Sequence, residues 1–322
     1  MSVYTNVTLD EAQLLATQYG YRVTALTPIQ TGIENSNYFV EFDQQPEMVL
    51  TIFEEMNFID LQELLPLMAF LKQKGVPVAA PVPDLQGHLV NFIENKPVQL
   101  APRLAGTHPM QPTLAQVGQI ATALAQLHVA LQYYPLHRNN NHGQDWWQET
   151  KAQLLSVLSP PDQAMLEQVF AQFLQAQLNY PNRPHGLIHG DLFRDNTLFE
   201  GDRLSGLLDF SELSSDELLI DIAICMNDFC SNWPEVNLDQ HKAHIFLSAY
   251  HQIRPLTTDE QQALPAYLSM AACRFWLSRL QIGLRNENEA RMGEHILQKD
   301  PLEMHAMLQN RLNLSLDIQL DG

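Results

Sequence analysis

A chain of 322 residues with 45% hydrophobic content is long enough for two domains, or for one large two-lobed domain with a sizeable core. Its formal charge of −19, with 18 Lys and Arg against 37 Asp and Glu, argues against nucleic-acid binding, because phosphate backbones demand basic stripes. The amino terminus has neither a basic start nor an apolar run. No stretch approaches the roughly 18 uninterrupted apolar residues of a membrane span, so a cytoplasmic protein with no membrane partner is expected. Cys225, Cys230 and Cys273 have neither a disulfide framework nor metal-ligand spacing; they read as buried free thiols in a reducing compartment.

In chain order, Thr8-Leu9-Asp10-Glu11 is a capping-box pattern that opens a short helix, and Gly20 sits where that helix should stop. From Val23 to Phe53 the runs VTALTPI, NYFVEF and MVLTIF predict three antiparallel strands. Between the first two lies a polar turn, Gly32-Ile33-Glu34-Asn35-Ser36-Asn37. Its backbone N–H groups either lie over phosphates or close an ordinary hairpin. Leu61, Leu64, Leu65, Met68 and Leu71 recur at helical spacing up to Lys72-Gln73-Lys74-Gly75, and Pro66 is expected to kink that helix or start a second one. Leu89 to Ile93 and Pro97 to Ala101 read as two further short strands. The β-texture ends at Pro102 to Pro109, which sets a lobe boundary near residue 104 and predicts lobes of 1–103 and 104–322.

Beyond the boundary, Leu114, Val117, Ile120, Ala121, Leu124, Leu127 and Leu131 form one apolar helical face, with His128 beside it as a packing histidine. Residues 133–144 make a polar loop, and Trp146-Trp147 open the next helix as packing under that loop. Helices continue to Leu178. Ser214-Ser215-Asp216 suits a cap for a strongly apolar helix from Glu217 to Phe229. Asp221 inside that helix needs hydrogen-bond donors and reads as structural support. Residues 239–252, 258–284 and 288–313 complete a helical carboxy-terminal half.

The stretch from 187 to 209 carries the chemistry. Leu187-Ile188 run into His189-Gly190-Asp191, Asn196 follows five places after that aspartate, and the apolar strand Leu204 to Leu208 delivers Asp209. An aspartate at a strand end can hold a substrate hydroxyl in line and accept its proton, while an amide oxygen and a second carboxylate can hold magnesium at a nucleotide's phosphates. Each carboxylate alone reads as a turn former or a helix cap. The spacing makes the pattern one of phosphoryl transfer.

HGDLFRDN followed by LLDFSE resembles the catalytic core of the aminoglycoside-phosphotransferase-like branch of the protein-kinase superfamily. Within that branch MSVYTNVT, GIENSNYFVEF, MVLTIFEE, DRLSGLLDF, DIAICMNDFC and KDPLE are similar to the kinase-like bacterial homoserine kinases. The resemblance implies an α+β, two-lobed protein-kinase-like fold, with a small antiparallel sheet in the amino-terminal lobe and a larger, mainly helical second lobe. It also implies ATP as phosphoryl donor, Mg2+ as cofactor and the side-chain hydroxyl of L-homoserine as acceptor, on the way to threonine. By the same resemblance Asp191 is the catalytic aspartate, and Asn196 and Asp209 are metal ligands. Gly32, Asn35, Ser36 and Asn37 lie over the nucleotide, and the backbone at Leu100, Pro102 and Leu104 meets the adenine edge. His189 and Asp221 support the site.

One departure from the wider kinase pattern stands out. The third strand of kinases carries a lysine for the α- and β-phosphates, whereas this chain offers Thr51 there. Arg22 is the sole basic side chain in the first 71 residues. Either Arg22, backbone donors of the 32–37 loop and magnesium share the phosphate charge, or the donor sits elsewhere; Thr51 is expected to be dispensable.

A zwitterionic acceptor needs a cation for its carboxylate. Arg274 and Arg279, on the apolar helix MAACRFWLSRLQ, are the candidates; an arginine in such company marks a buried ion pair or an anion site. Two alternatives remain open. One is a kinase of another small alcohol (an amino alcohol, sugar or aminoglycoside), for which the −19 charge would suit a cationic acceptor. The other is a nucleotide-binding pseudokinase, with the absent lysine as its symptom.

Overall fold

A computed structural model describes residues 5–29, 35–288, 299–314 and 316. They group into two compact units. One comprises the residues up to Ala105 together with Gly206–Ser211; the other comprises Gly106–Ser205 and the residues from Glu212 onward.

In the first unit, α1 (Leu9–Thr17) begins at a reciprocal cap: Thr8 Oγ1 accepts from the Glu11 N–H, and the Glu11 carboxylate accepts from the Thr8 N–H at 2.8 Å. Strands β1 (Val23–Ile29), β2 (Ser36–Phe42) and β3 (Met48–Ile52) follow, then α2 (Phe58–Gln73), β4 (Asn91–Ile93) and β5 (Lys96–Pro102). The five strands form one antiparallel sheet in the order β1-β2-β3-β5-β4. Alternation along the strands sends Tyr38, Val40, Leu50, Ile52, Val98 and Leu100 into one core with Ala12, Leu15, Ala16 and Tyr19. The opposite face carries two rows in register, Asn37–Thr51–Gln99 and Phe39–Val49–Ala101.

Helix α2 runs through Pro66 as a single element, so no second helix starts there. Pro66 and Gln62, whose carbonyl the missing N–H would have served, both lie on the exposed side. Leu61, Leu64, Leu65, Leu67, Met68 and Leu71 are buried on either side of the proline and hold the helix together. Gly206–Ser211 joins this unit through Leu207, whose N–H donates to the Pro77 carbonyl at 2.7 Å.

The second unit contains α3 (Leu114–Leu131), α4 (Gln144–Leu154), α5 (Pro160–Asn179), β6 (His185–Ile188), β7 (Thr197–Glu200) and the start of β8 (Arg203–Leu207). It continues with β9 (Ser214–Glu217), α6 (Leu218–Phe229), β10 (Ser231–Asn232), β11 (Asn237–Leu238), α7 (Gln240–Ile253), α8 (Thr258–Asn288) and α9 (Pro301–Leu312). Every residue of α6 is buried, and α8 packs against α5, α6 and α9. Helix α3 has the length and mean hydropathy of a membrane span, but half of it is buried inside the protein and glutamines interrupt it. The three cysteines are free and buried.

Ser214-Ser215-Asp216 departs from expectation. It is not a cap but strand β9, paired antiparallel with β6 (Leu187↔Ser215, Ile188↔Ser214). Helix α6 then starts at Leu218 without a side-chain cap. Polar, turn-forming residues became a strand because β6 supplies their backbone partners.

Candidate active site

Strand β6 delivers the chain into a tight bend at Gly190, where φ is +78° and an added Cβ would sit 2.7 Å from the Glu212 carbonyl oxygen. Only glycine fits a bend with both constraints. The bend exposes two successive N–H groups, of His189 and Gly190, and both donate to the buried carboxylate of Asp221 at 2.8 and 3.0 Å. Asp191 follows. Its carbonyl accepts from the Phe193 N–H at 2.9 Å and from Asn196 Nδ2 at 2.8 Å, and Asn196 Nδ2 also reaches Asp191 Oδ2 at 2.9 Å. The 3₁₀ turn Arg194–Asn196 makes that return possible. With its NH2 spent on Asp191, the Asn196 amide presents its oxygen as an acceptor.

Ionised side chains support the segment from behind. Burial alone would raise Asp221, yet the hydrogen bond from His128, its charge and the His189 N–H outweigh burial and hold the carboxyl below its usual range. Burial pushes His128 down, against the pull of Asp221; its Nε2 lies 3.0 Å from Asp221 Oδ2 and its Nδ1 lies 2.6 Å from the Tyr250 hydroxyl. His128, expected to be a core or packing histidine with a satisfied ring nitrogen, has partners at both nitrogens, one of them the carboxylate that holds the bend.

Asp228 grips the next turn. It accepts from the Arg194 N–H at 2.6 Å and from Arg194 Nε at 3.0 and 3.1 Å, while the guanidinium lies over the Trp233 ring at 3.9 Å. Burial outweighs the Arg194 charge and pushes Asp228 up to about 6. Arg274 holds the bend from a third side. Its Nη1 donates to the Gly190 carbonyl at 2.5 Å and its Nη2 to Glu212 at 3.0 Å. Arg279 instead donates to the Asp300 carbonyl at 2.7 Å and to Glu303 at 2.9 Å, so the two arginines of α8 serve different partners.

In the first unit, Asp209 has a positive φ of +54°, unusual for a residue with a side chain, and its Oδ1 accepts from the Ser211 N–H and hydroxyl at 3.2 and 2.6 Å. Such strain persists where the surroundings impose it, and it concentrates at functional positions. Asn196 and Asp209 each offer an oxygen donor of the kind Mg2+ prefers.

At the end of β3, Thr51 donates to Asn37 Oδ1 at 2.8 Å, Asn37 Nδ2 to the Asn35 carbonyl at 3.3 Å, and Ser36 Oγ to Glu54 at 2.6 Å. Lys96 is paired with Glu54 and donates to Thr5 Oγ1 at 2.6 Å. Gly32 lies outside the described residues. Along the expected adenine edge, Leu100 is buried and its carbonyl accepts from the Val82 N–H at 2.8 Å. The Arg103 N–H goes to Glu47, and Leu104 is half-buried.

Sequence reasoning passed over Asp228, Arg194, Glu212 and the bond made by His128. Asp228 alone left a signal: it lies seven positions after Asp221 on the same buried helix, so the demand for donors applied to both.

Sheet, helical unit and glycine-bent aspartate segment together define a phosphotransferase with a protein-kinase-like fold. The model of the Phosphotransferase enzyme family matches residues 25–256, and the chain belongs to that family. It is 38% identical over 285 residues to a homoserine kinase of Janthinobacterium sp. (strain Marseille), covering 87% of this chain and 88% of that one. It is 36% identical to a homoserine kinase of Polaromonas naphthalenivorans (97% and 98% covered) and 35% identical to one of Pseudomonas aeruginosa (99% of each). Among solved structures, the GDP complex of an aminoglycoside 2'-phosphotransferase superposes with a TM-score of 0.67 at 14% identity, covering 96% of this chain and 99% of that one. A microcompartment-associated aminopropanol kinase gives 0.66 at 17%, covering 94% of each. At such identities the likeness is one of fold.

Proposed function

We propose that this chain transfers the γ-phosphoryl group of ATP to the side-chain hydroxyl of L-homoserine, producing O-phospho-L-homoserine for threonine synthesis in the cytoplasm. The observation that carries this reading is the likeness, over as much as 99% of the chain, to homoserine kinases. In this reading residues 1–103 hold the nucleotide, with Gly32, Asn35, Ser36 and Asn37 at the phosphates and Pro102 to Leu104 at the adenine edge. Residues 104–322 hold the acceptor.

Asp191 orients the homoserine hydroxyl and accepts its proton as the oxygen attacks. Asn196 keeps the Asp191 carboxylate in one orientation through the 2.9 Å bond from Nδ2. The Asn196 amide oxygen and Asp209 would hold Mg2+, which when bound neutralises phosphate charge. His189, Gly190 and Asp221 contribute stiffness: the bend is fixed by backbone bonds to a buried anion, so Asp191 needs no reorganisation as charge develops.

The −19 charge favours a second reading, a kinase of a cationic alcohol. An ADP-release assay with Mg-ATP and a panel of homoserine, threonine, serine, choline and an aminoglycoside separates the readings. Turnover with homoserine is expected. Turnover confined to choline or the antibiotic overturns the homoserine reading, and no turnover with any acceptor favours a pseudokinase.

A further inference from the structure

A second cluster of charged side chains adjoins the bend at Gly190. Residues 137–143, the loop before α4, are stapled onto residues 212–216. The Ser215 N–H donates to the Arg138 carbonyl at 2.7 Å, the Arg138 N–H to Ser215 Oγ at 3.2 Å, and Asn140 Nδ2 to Asp216 at 2.6 Å. His142 closes the staple: its Nδ1 donates to Glu212 Oε2 at 2.7 Å, and its ring packs edge-on against Trp146. Glu212 is the neighbour that leaves no room for a side chain at Gly190, one residue before Asp191. The cluster is therefore built against the catalytic bend.

Two members of the cluster have unused capacity. Among the described residues, Arg138 carries a buried Nη1 with no hydrogen-bond partner, and none of their carboxylates forms an ion pair with it. A buried cationic donor without a partner is costly, and native proteins leave few such groups unless a ligand or solvent completes them. Arg194 and Arg274, close by in the fold, each have a carboxylate. Glu212 commits Oε2 to Arg274 and His142, whereas Oε1 accepts no bond from the described residues. Burial raises Glu212, but the His142 hydrogen bond and the Arg274 charge outweigh it and keep the carboxylate ionised. One unsatisfied guanidinium and one half-used carboxylate on a shared staple match a small zwitterion.

We propose that Arg138 takes the carboxylate, and Glu212 the ammonium, of the amino-acid acceptor, leaving its side-chain hydroxyl to Asp191. The inference rests on the homoserine reading and deepens it. Arg274, with both Nη atoms committed to Gly190 and Glu212, becomes a positioning residue that does not itself bind substrate.

The test uses three acceptors: L-homoserine, 4-hydroxybutyrate, which lacks the ammonium, and 3-amino-1-propanol, which lacks the carboxylate. Each is assayed as an acceptor and as a competitive inhibitor of homoserine turnover, with the full-length wild type, Arg138→Met and Glu212→Gln. A charge-assisted bond is worth about 1.5–3 kcal/mol, so Arg138→Met should weaken homoserine and 4-hydroxybutyrate roughly tenfold to hundredfold and leave aminopropanol unchanged. Glu212→Gln should weaken homoserine and aminopropanol and spare 4-hydroxybutyrate. The KM for ATP should hold in both. If Arg138→Met does not fold, Arg138→Lys should show the same selectivity at smaller amplitude. Equal loss on all three acceptors, or none on any, overturns the clamp while leaving the homoserine reading intact. Failure of the wild type on homoserine removes that reading itself.

Discussion

The Asp191 segment and the β2–β3 edge are held by different means. Residues 189–196 are fixed by ions: Asp221 on two backbone N–H groups, Asp228 on Arg194, and Arg274 on the Gly190 carbonyl. Along the edge from Asn35 to Thr51 most bonds join neutral groups, Thr51 to Asn37 and Asn37 to the Asn35 carbonyl, while Ser36 donates to Glu54; among the described residues the cations beside it, Lys96 and Arg103, are paired with Glu54 and Glu47. Charge-assisted bonds are stronger and more directional than neutral ones, so ions occur where an aspartate must not move. Neutral side chains suffice where a loop need only be shaped. In the proposed reaction the phosphate charge would then fall to backbone donors and to metal, since the described cations at this edge are already paired.

The largest test of that contrast is Asp191→Ala. It removes the proposed proton acceptor from an otherwise intact segment and should lower kcat by about 10²–10⁴ with little change in thermal midpoint. A residual rate near wild type would leave the ion-held segment without a purpose.

Asp228→Asn comes next, because it removes a charge while keeping an acceptor for the Arg194 N–H. Burial holds Asp228 at about 6, above the 3.8 of the free side chain. The folded protein therefore binds this proton more tightly than the unfolded chain between about pH 4 and 6, and ionising the group costs stability as pH rises through that window. The ionised form grips Arg194, so wild-type kcat should fall as pH drops below about 6. The variant should lose roughly tenfold in kcat at pH 8, about 1.4 kcal/mol, and lack that acid limb. Its stability should be flatter than the wild type's across the window. A limb that persists in the variant assigns the titration elsewhere.

What the sequence made legible follows from how local each feature is. The α1 cap, the alternation of β2 and β3 and the apolar stripe of α3 are written within one element, and all three were readable. Asp191, Asn196 and Asp209 stood out because they share one short stretch. Strand β9 was hidden because SSDE is turn-like in composition and becomes extended only against β6. Asp221 was readable as a support, because a carboxylate in an apolar helix demands donors, but its partner His128 and the bond from Arg274 to Gly190 were hidden by distance: the pairs are 93 and 84 residues apart and no periodicity links them. Arg138 was missed for another reason, since a loop rich in Asn and His looks like solvent-facing chain until its staple to Ser215 is seen.

The smallest expected effect is the most diagnostic for the neutral edge. Thr51→Ala deletes one hydrogen bond, the 2.8 Å donation to Asn37, from a half-buried position. A neutral bond of this kind contributes about 1 kcal/mol net, so turnover should stay within about fivefold of wild type and the KM for ATP should shift by no more than that. If Thr51 instead carried the phosphate-binding duty of a kinase lysine, its loss would approach that of Asp191→Ala. The β2–β3 edge would then be a charge-handling device in its own right. A small effect favours backbone donors and a bound metal ion for that duty, and raising magnesium should then rescue most of what Thr51→Ala loses.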